Sequence, residues 1–134
     1  MRDFLGDLFF GGACYLCRGQ ARGIVCGECR AELPRLGGEL CPRCALPSPC
    51  AAVCGRCLAE PPDYDATVAP LAYDFPADAL VHALKFRGEL SLAPLLAGIL
   101  GERLSSREDI DVLIPVPLSA ARLRSRGYNQ ALEI

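Results

Sequence analysis

The sequence has no tryptophan, one methionine and one histidine in 134 residues. It also lacks any stretch near the ~20 uninterrupted apolar residues that a membrane-spanning helix requires. The apolar run around Leu90–Leu100 is amphipathic and interrupted by Pro94 and Gly98. No charge of one sign predominates. Fourteen Lys/Arg against sixteen Asp/Glu leave a net charge of −2, too little for bulk attraction to nucleic acid or an anionic membrane surface. Residues 1–62 hold seven Arg and six Asp/Glu, and residues 63–134 hold seven Lys/Arg and ten Asp/Glu, so neither half is a basic tail. A secretory pattern is missing as well: Met1-Arg2-Asp3 carries mixed charge, and the apolar patch from Phe4 to Phe10 is short and broken by Asp7. These absences predict a cytoplasmic protein with no membrane insertion.

What the sequence has instead is cysteine. Nine cysteines lie between Cys14 and Cys57, and six of the eleven prolines fall between Pro34 and Pro62. In a reducing compartment a disulfide framework is disfavoured, and metal binding becomes the leading explanation. Eight of the nine form an internal repeat. Cys14-x-x-Cys17 precedes Cys26-x-x-Cys29, and Cys41-x-x-Cys44 precedes Cys54-x-x-Cys57. A Cys-x-x-Cys turn presents two sulfurs on one side of a tight knuckle, and two knuckles complete a tetrahedral thiolate site of the kind zinc prefers. Two structural zinc ions are therefore expected. The pairing is either sequential (Cys14, Cys17, Cys26, Cys29, then Cys41, Cys44, Cys54, Cys57) or an interleaved cross-brace. With four protein ligands each, neither site keeps an open position for catalysis. Backbone N–H groups of the knuckle turns are expected to hydrogen-bond the sulfurs, and Arg18, Arg30, Arg43 and Arg56 stand where they can offset the charge of four thiolates. Cys50 is a spare loop thiol or a substitute ligand for Cys54. A region this rich in Gly, Pro and Cys is not expected to bury a conventional core without such staples.

After Pro61-Pro62 the composition changes to ordinary α/β alternation, which places a boundary there. Thr67–Tyr73 reads as a strand, with Pro70 marking an edge or bulge. Asp74–Pro76 reads as a turn. Ala77–Phe86 reads as a helix with Leu80, Ala83 and Leu84 on one face, ended by Gly88. Leu92, Leu95, Leu96, Ile99, Leu100 and Leu104 recur at helical spacing, with Glu102, Arg103 and Arg107 off that stripe. Asp111–Val116 reads as a buried strand, and Ser119 as the N-cap of a final helix. A strand that ends in a stiff turn before a helix, followed by Arg122, Arg124 and Arg126, reads either as a phosphate or pyrophosphate site or as a solvated arginine face.

These segments together resemble the competence protein F (ComF) family. The double Cys-x-x-Cys module is similar to the double zinc ribbon that opens those proteins. Ala83-Leu84-Lys85-Phe86-Arg87-Gly88 resembles the family's Leu-Lys-aromatic-x-Gly segment. Ile114-Pro115-Val116-Pro117-Leu118, with the Arg122 to Gln130 stretch behind it, is similar to the family's Val-Pro-Val-Pro-Leu and Arg-Gly-Phe-Asn-Gln motifs. The resemblance implies a small double zinc-ribbon module over residues 1–62, with a short N-terminal helix. Residues 63–134 would then be the incomplete N-terminal part of an α/β domain, of the type I phosphoribosyltransferase-like kind. It further implies magnesium and phosphoribosyl pyrophosphate as ligands of the full-length family, and a link to DNA uptake in natural transformation. Competence-machinery proteins or single-stranded DNA are the implied partners. By position, Pro117 and Leu118 would form the pyrophosphate loop, Arg122 and Arg126 would contact the anion, and Lys85 would lie on the helix before the core.

One motif of the family is missing: no acidic pair followed by Thr-Thr-Gly occurs in the chain. Those residues would bind the ribose hydroxyls and the 5′-phosphate, so the chain is expected to be a C-terminally truncated form without activity of its own. The alternative reading is a non-catalytic zinc-ribbon module that binds protein or DNA. The remaining polar residues read blandly: His82 as a helix-surface residue rather than a ligand or base, Asp63, Asp65 and Asp111 as caps and loop acids, and Tyr128 as core. Asn129 and Gln130 either touch substrate or face solvent.

Overall fold

The computed structural model describes residues 12–105 and 107–134. The expected N-terminal helix lies outside the described residues. The chain begins with a two-stranded antiparallel ribbon, β1 (Gly12–Ala13) and β2 (Gln20–Ala21), with Gly12 opposite Ala21. Two five-residue helices follow, α1 (Gly27–Ala31), capped by the Cys26 sulfur, which accepts from the Cys29 N–H, and α2 (Gly55–Ala59), with Cys54 at its N-cap position. Beyond them come α3 (Ala77–Phe86), α4 (Ala93–Leu104), α5 (Ala120–Arg126) and α6 (Gln130–Glu133).

The helices follow from local sequence. In α3 the residues Ala77, Leu80, Ala83 and Leu84 fall on one face and are buried. The helix stops at Arg87 because Gly88 takes φ +72°, the left-handed conformation that glycine adopts without a Cβ penalty. In α4 Pro94 sits in the first turn, where no N–H is needed. Leu92, Leu96 and Ile99 of the leucine stripe are buried. Ser119 caps α5 by accepting from the Arg122 N–H at 3.4 Å, and Gly127 ends it at φ +84°.

Neither expected strand of the second half forms among the described residues. Thr67–Tyr73 is reduced to one antiparallel bridge between Leu71 and Arg35. The Leu36 N–H donates to Pro70 O at 3.0 Å and the Ala72 N–H to Pro34 O at 2.7 Å. Prolines on both segments remove the donors a longer ladder would need. Asp111–Val116 is extended and exposed rather than buried, with Leu113 76% and Ile114 82% accessible. Among the described residues no strand pairs with it. The α/β layer expected for residues 63–134 is therefore not formed by the described residues, whose only sheet is β1–β2.

The main core joins the cysteine-rich segment to the helices. Leu33, Ala77, Leu80, Ala83, Leu92 and Ile99 form one buried cluster, and Tyr15, Leu16, Ile24 and Val25 pack against it. The first cysteine repeat thus does reach a conventional core, on residues supplied mostly by α3 and α4. A second cluster of Leu84, Ala93 and Leu96 is closed by Val81 and Tyr128.

Candidate functional site

The eight repeat cysteines meet in two groups. Cys14, Cys17, Cys26 and Cys29 form one, and Cys41, Cys44, Cys54 and Cys57 the other, with the sulfurs of each group within 4.8 Å of one another. The grouping is the sequential one. Four sulfurs at the ~2.3 Å zinc–sulfur bond length of a regular tetrahedron stand about 3.8 Å apart. The Cys17–Cys26 and Cys44–Cys54 sulfur pairs are each 3.7 Å apart, so the cavities have the size of a zinc-thiolate site. All four positions in each are protein sulfur. The two clusters can therefore hold two structural Zn²⁺ ions and leave no coordination position for a substrate.

The repeat extends to the backbone. In both knuckles the residue after the second cysteine is left-handed, Arg18 at φ 64° and Ala45 at φ 57°. Its N–H closes the turn on the first cysteine: Arg18 to Cys14 O at 3.0 Å, Ala45 to Cys41 O at 2.9 Å. In both, the third cysteine's N–H donates to the first cysteine's sulfur at 3.3 Å, Cys26 to Cys14 and Cys54 to Cys41. These N–H groups stabilise thiolate. The Cys26 N–H is the largest influence lowering Cys14 to about 6. Cys41 is likewise lowered to about 6, chiefly by the backbone N–H of Cys44 and then that of Cys54. The fourth cysteines are the opposite case. Contact with the Cys26 thiol, then burial, pushes Cys29 far up, and burial pushes Cys57 up to about 12. A metal-free cluster keeps protons at neutral pH, and a divalent ion supplies the charge that removes them.

The arginines beside the knuckles are partly engaged elsewhere. The Arg18 guanidinium lies over the Tyr15 ring, 5.7 Å from its centroid, and Arg30 pairs with Glu102 of α4 at 2.5 Å. Cys50 belongs to neither cluster; it is exposed at φ 56°, and its N–H donates to the Glu39 carboxylate at 2.8 Å.

A second constellation lies at the C-terminal end of α3. Leu118, Arg122 and Arg126 line one cleft of about 450 Å³ together with Lys85, Phe86 and Tyr128, while Pro117 is not part of its wall. Among the described residues no acid lines it. The Tyr128 hydroxyl donates to the Leu84 carbonyl, which ties α5–α6 to α3, and Arg126 donates to the side-chain oxygen of Gln130. Asn129 is spent on structure: its side chain caps α6 and donates to Val116 O at 3.0 Å. His82 is exposed and lies against Phe86, with ring centroids 4.8 Å apart and the planes tilted by 45°. Phe86 is the lining residue that spacing alone does not single out. The signal was its place beside Lys85 and one turn after His82.

Two knuckles of one backbone design, each closing four sulfurs at zinc dimensions, define a double zinc ribbon. Residues 5–58 match the family model described as a double zinc ribbon domain. The chain as a whole is a homologue of the ComF/YhgH competence proteins. It is 36% identical over 130 residues to the DNA utilization protein YhgH of Salmonella typhimurium, an alignment taking in 90% of this chain and 57% of that one. It is 30% identical to competence protein F of Haemophilus influenzae, over 92% of this chain and 57% of the relative. Competence protein ComFC of Bacillus subtilis is 28% identical, over 80% and 48% respectively. The chain thus spans about half the length of these relatives. No solved structure matches it. No helix among the described residues is long and apolar enough to cross a membrane.

Proposed function

We propose that this chain acts as a non-catalytic module, stiffened by two zinc ions, that binds DNA in the cytoplasm. The observation that carries this reading is the closure of both cysteine clusters by four protein sulfurs, which assigns the metal a structural role. The names of the relatives, a DNA utilization protein and a competence protein, support DNA as the partner. The test is fluorescence anisotropy of a labelled single-stranded oligonucleotide with the zinc-loaded chain, repeated after chelation. Micromolar binding that weakens with salt and disappears on chelation is expected. No binding at low salt would sink the DNA reading.

A second reading takes residues 63–134 as the front of a type I phosphoribosyltransferase-like domain, and Leu118, Arg122 and Arg126 as its anion contacts. The cleft that gathers these three supports it. Among the described residues the same cleft has no carboxylate to hold magnesium, and no step of transfer chemistry follows from them. Calorimetric titration with magnesium and phosphoribosyl pyrophosphate separates the readings. The module reading expects no saturable heat, and micromolar binding would favour the second.

A further inference from the structure

The geometry points to the cleft between the end of α3 and α5–α6 as the place where a single nucleic-acid strand is held, with a base on Phe86 and phosphates on Lys85 and Arg122. This rests on the reading of the chain as a DNA-binding module and names the surface that does the work.

The argument starts from charge. The chain carries a net charge of −2, so a strand cannot be held by overall attraction and needs a local concentration of cations. Among the described residues the cleft wall supplies three, Lys85, Arg122 and Arg126, and no acid. The ion pairs among the described residues involve Arg30, Arg35 and Arg107, so no carboxylate of the described residues pairs with any of the three cleft cations. The arginines beside the first ribbon are less free: Arg30 is bound to Glu102 and Arg18 lies on Tyr15.

The second element is an aromatic platform. Phe86 remains 65% exposed although it ends a helix whose opposite face is core. Its ring is flanked by His82 at 4.8 Å and by the Arg126 guanidinium 5.4 Å from its centroid. A large apolar ring left in water and backed by a guanidinium is the arrangement on which an unpaired base stacks, with the cation reinforcing the stack. Inorganic phosphate alone would use the cations and leave the ring without a role. Duplex DNA would offer no unstacked base to it.

The third element is rigidity. The Tyr128 hydroxyl is fixed on the Leu84 carbonyl and Gln130 holds Arg126, so the platform and the cations are positioned before a ligand arrives. Preorganisation of this kind lowers the cost of binding.

The experiment uses the zinc-loaded full chain, a labelled oligothymidylate, and anisotropy across a salt series. Phe86→Leu is expected to weaken binding by about 10- to 100-fold, the range for loss of one base stack. Lys85→Gln and Arg122→Gln are each expected to reduce the slope of log affinity against log salt by about 0.7. Zinc content and circular dichroism should stay unchanged in all three, since these side chains lie outside both sulfur clusters and outside the buried core. Arg43→Gln and Arg56→Gln on the second ribbon serve as the comparison. If they weaken binding and the cleft variants do not, the strand lies on the ribbon: the cleft assignment fails while the module reading stands. If the unaltered chain binds no oligonucleotide, the module reading itself fails. Displacement of the strand by micromolar pyrophosphate would overturn the proposal in favour of a small phosphorylated ligand.

Discussion

Glu102, in the last turn of α4, accepts the guanidinium of Arg30 at 2.5 Å, and Arg30 directly follows the fourth cysteine of the first zinc cluster. Arg35 reaches the other Glu102 oxygen at 3.3 Å. One carboxylate therefore ties the first ribbon to the helical core. Its hydrogen bond with Arg30, foremost, holds the Glu102 carboxyl below the usual glutamate range. A depressed carboxyl stabilises the fold above its unfolded pKa, ~4.3, and that contribution is lost as pH falls through the lower folded value. The pair is half exposed, so the effect is small and screened by salt. Glu102→Gln should lower the melting temperature slightly at pH 7 in low salt, and the difference should shrink at high salt. An equal loss at both salt concentrations would mean that packing, not charge, is what the substitution removes.

The two zinc sites should not be equivalent for folding. The residues around the first, Tyr15, Leu16, Ile24 and Val25, pack on the cluster built from α3 and α4. Cys41 and Cys57 of the second are buried, yet among the described residues that cluster joins no hydrophobic core with α3 or α4. Cys14→Ser should remove one zinc equivalent and much of the helical circular dichroism. Cys41→Ser should remove one equivalent and leave the helical signal nearly intact. Equal loss of helicity in both variants would refute the asymmetry. Chelating both ions should unfold the ribbons altogether, since a structural zinc contributes on the order of 10 kcal/mol of folding free energy.

Zinc uptake should release protons, and its apparent affinity should rise with pH. Cys57 is pushed up to about 12 by burial, whereas Cys41 is lowered to about 6 by backbone N–H groups. At neutral pH the metal must therefore displace protons from the buried thiols while finding the first cysteine largely ionised. Each proton displaced adds one power of ten in affinity per pH unit. Calorimetry in buffers of different ionisation enthalpy measures the release directly. An affinity flat between pH 6 and 8 would contradict it.

Leu80 is fully buried at the centre of the shared core. Leu80→Ala should cost ~2–5 kcal/mol and lower the denaturation midpoint, with zinc still bound by the second cluster. A loss below 1 kcal/mol would show that the site collapses around the smaller side chain.

Much of this was legible in the residues. The spacing of eight cysteines anticipated two clusters of four but left open which cysteines share one; the sequential grouping comes from the fold. The apolar period and Gly88 anticipated both ends of α3, and Ser119 the start of α5. What failed was pairing. Thr67–Tyr73 and Asp111–Val116 have the composition of strands, but a strand is formed by its neighbours, and composition does not say whether they exist. Glu102 was legible only as a residue off the apolar stripe. That it faces Arg30 and Arg35 depends on how the first ribbon docks on α4. That docking rests on Leu33, Ile24 and Val25, scattered apolar residues with no period of their own.

The bare segment from Ile110 to Val116 carries a practical consequence. Val112, Leu113, Ile114 and Val116 stand in water with their backbone groups unpaired by any strand among the described residues. Such an edge is a template on which other chains assemble. Pro115 interrupts its row of donors, and proline is a natural gatekeeper against stacked association. Replacing Pro115 to regularise the segment would therefore trade solubility for sheet-forming capacity, and Pro115→Val should precipitate at concentrations where the unaltered chain stays clear.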